Sequence, residues 1–325
     1  MLLLDYILIA AASAFAYSLG AHYTGACMGM PYAAGAIRLV PALLVMAPFV
    51  LVGAIFASGR VEATVGHGIL ASATVAVPLA VAIVVSAFCL TAAYNWVAIP
   101  TSTIQILVFS AVGAGLAAGV GIQWQTIGTL LVVWAVAPFA ACGLGFGLTR
   151  LLDRWGGHGS SPAKGQGLVG HTALALVGIG TAASFAMGAN DVANSSGALV
   201  MTGLFGLTLA GLIGGIGMVL GVLTWGRPLL QRVAFDVVKL DPRTAAASQL
   251  AQSAVILVSV SFGYFTSMNQ ALVGAMIGAG LARPSGAVVR KTVRDVLAGW
   301  AAGPISGAAL GFALAFALRS AHVLS

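Results

Sequence analysis

Charge is what this sequence has least of. Asp, Glu, Lys and Arg make up 6% of its 325 residues, where a soluble domain carries about a quarter. That excludes an ordinary soluble globular fold. Cysteine is scarce as well. Cys27, Cys89 and Cys142 stand alone in apolar stretches, with no CxxC or His/Cys ligand spacing, so neither a disulfide framework nor a metal centre is expected. No basic cluster is interleaved with aromatics, so the net charge of +7 points to cytoplasmic membrane loops and not to nucleic acid. No HExxH, P-loop, Ser/His/Asp set or paired carboxylate is present. The chain is therefore not expected to be an enzyme or ATPase or to need a cofactor. Met1–Tyr6 has no basic residue and carries Asp5, unlike a cleaved signal peptide.

What is there is apolar. Hydrophobic residues are 60% of the chain and mean hydropathy is +1.05, with 43 glycines. Long apolar runs containing Gly and Pro suit membrane helices and not a barrel. Ten apolar crossings are expected near 2–19, 37–57, 73–96, 101–117, 126–149, 168–187, 203–225, 248–264, 266–282 and 296–317. The polar stretch Asp153–Lys164 reads as a linker between two halves of five crossings.

The halves are copies of each other. Thr101-Ser102 and Gln105 recur as Thr266-Ser267 and Gln270, and Gly113–Ala117 recurs as Gly278–Ala282, both 165 positions on. Trp134, Pro138, Gly145 and Phe146 recur as Trp300, Pro304, Gly311 and Phe312, 166 positions on. Gly59-Arg60 recurs as Gly226-Arg227, and Gly20-Ala21 as Gly188-Ala189. With the N-terminus outside, every Lys and Arg except Arg60 and Arg319 falls on an inside segment, which the positive-inside rule favours. The loop Arg283–Arg294 is basic while its counterpart Ala118–Gln125 is uncharged, so equivalent loops lie on opposite sides. The expected fold is all-α: a multi-pass membrane protein of about ten to twelve transmembrane helices in two inverted-topology repeats with broken helices. The boundaries are 1–152, a cytoplasmic linker at 153–167, and 168–325. Both termini are expected outside the cell membrane. Inverted repeats with interrupted helices mark secondary transporters. The Gly-rich faces can pack within one subunit or between two, so a homodimer is among the assemblies allowed.

Three polar elements could carry chemistry. Gly188–Gly197 puts Asn190, Asp191, Asn194, Ser195 and Ser196 into an apolar run. An intramembrane carboxylate is costly and by default functional. Gly188 and Gly197 would permit unwinding, freeing carbonyls for a small cation. The plainer alternative makes Asp191 a helix cap or an interhelical hydrogen bond. Its counterpart Gly20–Gly29 offers His22, Tyr23 and Thr24 and no carboxylate. His22 could carry a proton or simply be packed. Finally, Thr101-Ser102 and Thr266-Ser267 follow probable breaks and open Gly-rich helices. Serine there caps the helix, and two such N-termini facing each other would hold an anion without Lys or Arg.

These motifs resemble the PiT family of inorganic phosphate transporters and its sulfate-permease branch. Gly188–Gly197 is close to that family's consensus, and Arg60–Val65 resembles its Arg-Val-x-Glu-Thr-Ile element. The resemblance covers nearly the whole chain. It implies a central oxyanion site with adjacent cation sites, and transport driven by sodium or protons. Carried over, binding falls to Asn190, Asp191, Asn194, Ser102, Thr103 and Ser267; with the chemistry of the flanking residues added, the substrate-binding set is Ser102, Thr103, Ser267, Asn269, Asn190, Asn194, Tyr23 and Thr24. The coupling ion falls to Asp191, Asn190, Asn194 and His22, with Na+ at Asp191.

The sequence departs from the family at the first-repeat Asn-Asp, which is His22-Tyr23. It also departs at Ser-Thr-Thr-His, which is Ser102–Gln105 in one half and Ser267–Gln270 in the other. One carboxylate and several hydroxyls are gone. Phosphate near neutral pH still carries a proton to donate, whereas sulfate only accepts. A site that has lost a carboxylate and gained Tyr23 moves toward sulfate, and the sulfate-permease branch similarly lacks that carboxylate. The expectation is a permease importing a tetrahedral oxyanion by H+ or Na+ symport, sulfate ahead of phosphate. A passive anion channel, a lipid head-group enzyme and a non-transporting scaffold are the rivals.

Overall fold

The computed structural model describes residues 3–97, 101–155, 170–232, 242–283 and 290–324. These form thirteen helices and no strand: α1 (Leu3–His22), α2 (Thr24–Ala33), α3 (Leu39–Phe56), α4 (Gly59–His67), α5 (Val77–Trp96), α6 (Thr103–Ala118), α7 (Trp124–Trp155), α8 (His171–Asp191), α9 (Ala193–Met201), α10 (Leu207–Arg232), α11 (Pro242–Ser261), α12 (Met268–Leu281) and α13 (Arg290–Ser320). Beyond Trp155, the linker expected at 153–167 lies outside the described residues, as does Pro100. Eight spans are long and apolar enough to cross a membrane. In these counts α1 runs on into α2 and α8 into α9. The chain is a multi-pass membrane protein, and Phe56, Phe139 and Phe262 are among the large apolar side chains on its outer surface.

Two expected crossings are shorter than the rest. α6 has 16 residues and α12 has 14, or about 24 and 21 Å at 1.5 Å per residue, against a hydrocarbon core of about 30 Å. Both begin inside the protein, at Ser102 and Ser267, and both of those residues are buried. The short helices α2, α4 and α9 were not separately legible in the hydropathy.

Helices in the two halves pack by exchange. α6 lies along α13 and α12 along α7, while α1 lies along α10 and α3 along α8. Glycine makes each exchange possible by letting backbones touch. A methyl group on Gly113 would overlap the carbonyl of Ala308, and one on Gly278 would overlap that of Cys142. On the other side of the protein, Gly20 meets the Met218 carbonyl and Gly188 meets that of Val50 in the same way. The contacting residues recur in register with the sequence repeat.

This corrects one expectation. Gly188 and Gly197 do not unwind the helix. Both are helical and buried, packed against Val50 and Val65 respectively. The interruption is a single residue, Val192, whose φ of −58° and ψ of −35° keep the chain direction. The first half is broken one position earlier in the repeat, at Tyr23, with φ −100° and ψ 4°.

Candidate functional site

The two one-residue breaks and the two short-helix N-termini converge. Ser102 and Ser267 each accept a hydrogen bond from the backbone N–H three residues on, of Gln105 and Gln270, at 3.4 Å. These are N-caps. The N–H groups of 103, 104, 268 and 269 have no intrahelical acceptor, and they bring the positive ends of two helix dipoles together. Side chains bridge the two ends. Gln270 Nε2 donates to Gln105 Oε1 at 3.3 Å, and Asn269 Nδ2 donates to the Thr101 carbonyl at 3.2 Å.

The breaks hold these ends in place. Asn190 clasps the backbone of Thr266: its Nδ2 donates to the carbonyl at 2.8 Å and its Oδ1 accepts from the N–H at 3.0 Å. His22 holds the equivalent place in the first half, with Nε2 3.4 Å from the Thr101 carbonyl. Asn95 donates through Nδ2 to Ser18 O and Oγ, so its Oδ1 is free to accept from His22 Nδ1–H. His22 Nε2 then accepts from Asn269 Nδ2 at 3.2 Å. Both ring nitrogens are thus engaged in a pattern that suits a neutral imidazole. His22→Asn is expected to copy the Asn190 arrangement. Uptake should stay within about threefold of wild type with an unaltered pH profile in vesicles; a lost pH dependence would instead make His22 a proton carrier.

Thr103 joins the halves at the centre: its hydroxyl is 2.8 Å from that of Tyr23 in its own half and accepts from Asn194 Nδ2 of the other at 3.4 Å. Thr24 points elsewhere, its one hydroxyl hydrogen shared between the carbonyls of Ala21 at 3.0 Å and Gly226 at 2.8 Å. It tethers α2 to α10.

Asp191 stands apart from this network. It is fully buried, and neither carboxylate oxygen makes a hydrogen bond. Tyr23 and Asn190 are its polar neighbours. Asn194 Oδ1, near it across the break, is also an acceptor without a donor. Among the described residues, no Lys, Arg or His forms an ion pair with Asp191. A carboxylate in such a place is costly unless a proton or cation sits on it. Donors therefore gather at the helix ends, where Gln270 Oε1 is also left without a donor, and further bare acceptors lie at Asp191 and Asn194. The arrangement of these groups across the halves could be anticipated from the repeat, but the Asn95 anchor of His22 carried no sequence signal.

Arg60 and Glu62, near the start of α4, do not form an ion pair with each other. Arg60 is exposed and donates through Nη1 to the Ser261 carbonyl at 2.5 Å, while Glu62 is fully buried.

Comparison with known proteins follows the same line. The chain is 28% identical over 291 residues to the sulfate permease CysP of Bacillus subtilis (strain 168), covering 88% of this chain and 80% of that one. It is 28% identical over 306 residues to a probable low-affinity inorganic phosphate transporter of Mycobacterium leprae (strain TN), covering 88% and 71%. Its fold matches a solved structure described as the sodium-dependent phosphate transporter with a TM-score of 0.88, at 21% identity, covering 98% of this chain and all of that one. Residues 19–311 match the phosphate transporter family, PHO4, and on that match the chain belongs to this family.

Proposed function

We propose that this protein is a secondary transporter that imports an inorganic tetrahedral oxyanion across the cell membrane by symport with a monovalent cation, and that it prefers sulfate to phosphate. One observation carries the reading. Two serine-capped helix N-termini meet in the interior next to a buried carboxylate that no protein group satisfies. Helix ends with hydroxyls bind an oxyanion through N–H and O–H donors. Ser102, Ser267, Thr103 and Tyr23 supply the hydroxyls. Asp191 and Asn194 present only acceptor oxygens to their ion, which suits Na+ or H+. The exchanged packing of two similar halves supports an inverted repeat that rocks around this centre, with both termini outside.

The coupling has an energetic reason. A dianion entering a negative-inside cell works against about 2.3 kcal/mol per charge per 100 mV. A channel has no use for an unpartnered carboxylate at its centre; a symporter does. Sulfate is favoured because the first half replaces a carboxylate by Tyr23, so the acceptor that a protonated phosphate would use is halved. Two relatives are described as a sulfate permease and a low-affinity phosphate transporter, and the two substrates can be set against each other directly. In reconstituted vesicles with an inward sodium or proton gradient, labelled sulfate should accumulate. Phosphate should compete at least about tenfold less well than unlabelled sulfate, a gap of 1.4 kcal/mol. Strong phosphate uptake that sulfate does not inhibit would overturn the preference.

A further inference from the structure

Glu62 is a second buried carboxyl that the site above does not use. It is 0% exposed and sits on α4, which packs on α8, α9, α10 and α11. Its Oε1 is 2.6 Å from Ser196 Oγ, and Oε2 has no partner. The Ser58 hydroxyl is its other polar neighbour. Of the titratable groups on the packed elements, α9 has none. α8 brings His171 at its far end and Asp191 at the break; α10 brings Arg227 and Arg232, and α11 Arg243, toward their other ends. On α4 itself, Arg60 is turned to Ser261 and His67 is exposed. Among the described residues, Glu62 is in no ion pair.

Ser196 gives this carboxyl a connection. Its Oγ lies 2.6 Å from Glu62 and 2.9 Å from the Val192 carbonyl, yet a hydroxyl has one hydrogen to give. When Glu62 is ionised, that hydrogen goes to the carboxylate. When Glu62 is protonated, its own O–H donates to Ser196 Oγ, and the serine hydrogen turns to Val192 O. Val192 is the break residue between Asp191 and the helix that carries Asn194. The proton state of Glu62 is thus read at the break beside the cation site.

We propose that Glu62 and Ser196 form a proton-binding site, separate from Asp191, and that its proton is a second coupling ion beside Na+ at Asp191. This rests on the oxyanion symport proposed above. The charge count supports it. Tyr23 replaces the second central carboxylate, so one cation at Asp191 leaves a sulfate dianion short of compensation by one charge. One proton at Glu62 brings the cycle to neutrality. The site is single, because Leu229 stands at the position matching Glu62 in the second half when Gly226-Arg227 is set against Gly59-Arg60.

The test uses the whole protein in vesicles with equal sodium on both sides, a trapped pH dye, labelled sulfate and a potassium–valinomycin potential. Wild type should move one proton per sulfate, with accumulation indifferent to the potential. Glu62→Gln should move sulfate without protons, and a potential of about 60 mV, inside negative, should lower its accumulation about tenfold. Ser196→Ala, which keeps the carboxyl, should give a proton-to-sulfate ratio well below one. If Glu62→Gln does not insert stably, the wild-type ratio and Ser196→Ala decide. Wild type carrying sulfate without a proton, or either variant keeping a ratio of one, overturns the Glu62 site alone. Wild type that moves neither sulfate nor phosphate overturns the transport reading itself, and this inference with it.

Discussion

Asp191→Asn is expected to end gradient-driven uptake while leaving the fold as stable as before or more so. The two halves of that result come from one observation. A structural carboxylate is held by donors, and removing its charge then costs stability. Among the described residues, Asp191 makes no hydrogen bond through either oxygen and has no basic partner, so the folded protein gains little from the charge. What the charge can do is hold a cation. Losing a charged partner of that kind costs about 1.5–3 kcal/mol, or roughly 10- to 150-fold in binding. Initial-rate uptake should fall by that range or more, and thermal unfolding in detergent should shift upward or not at all. Near-normal uptake would remove Asp191 from the mechanism. A large fall in melting temperature would make it a structural residue.

The second large effect is expected from single methyl groups. Gly278→Ala and Gly113→Ala each place a carbon where a carbonyl oxygen of the exchanged partner helix already lies, at Cys142 and Ala308. Nothing soft is available to move, since the obstructing atoms are backbone. Overpacking of this kind costs about 1–3 kcal/mol, and sometimes more. Because α6 with α13 and α12 with α7 tie one half to the other, the loss should appear as lower yield of folded protein and a lower melting temperature. Gly147→Ala is the control, having nothing within 4 Å of the added carbon. It should be neutral or stabilising by up to about 1 kcal/mol, the helix propensity gain. Equal melting temperatures for all three variants would contradict the exchanged packing.

These glycines also show what was legible in the sequence. Gly113 and Gly278 revealed the repeat because both are needed at a helix–helix contact, and that need survives when other side chains drift. The ten apolar runs followed from hydropathy, since burial in lipid demands continuous apolar surface. Four things were not legible. Hydropathy does not tell a helix that runs on from one that restarts after a single residue, so α2 and α9 were missed, and α4, nine residues long, is too short to register as a crossing. Gly188 and Gly197 could not be assigned between unwinding and close packing, because glycine serves both. His22 looked like a titrating group because its anchors, Asn95 and Asn269, are remote in sequence. The Glu62–Ser196 contact was hidden for the same reason, since 134 positions separate the two.

The site residues fall into two groups on the same terms. Ser102, Ser267, Thr103, Tyr23, Asn190, Asn194 and Asp191 were marked by polar atoms in apolar surroundings, and the fold brings them to one centre. Thr24 carried the same mark, yet it is engaged in joining α2 to α10. A polar residue in a membrane helix must satisfy its hydrogen bonds somewhere, and sequence does not say whether with a ligand or with a neighbouring carbonyl.

The most direct test of the central claim is the position of bound oxyanion. Selenate has the shape and charge of sulfate, and its selenium scatters anomalously. Crystals of the protein grown with selenate and the coupling cation should show one strong selenium peak between the N-termini of α6 and α12, within reach of Ser102 and Ser267. Transport-competent protein with its selenium peak elsewhere, or with none, would contradict the account.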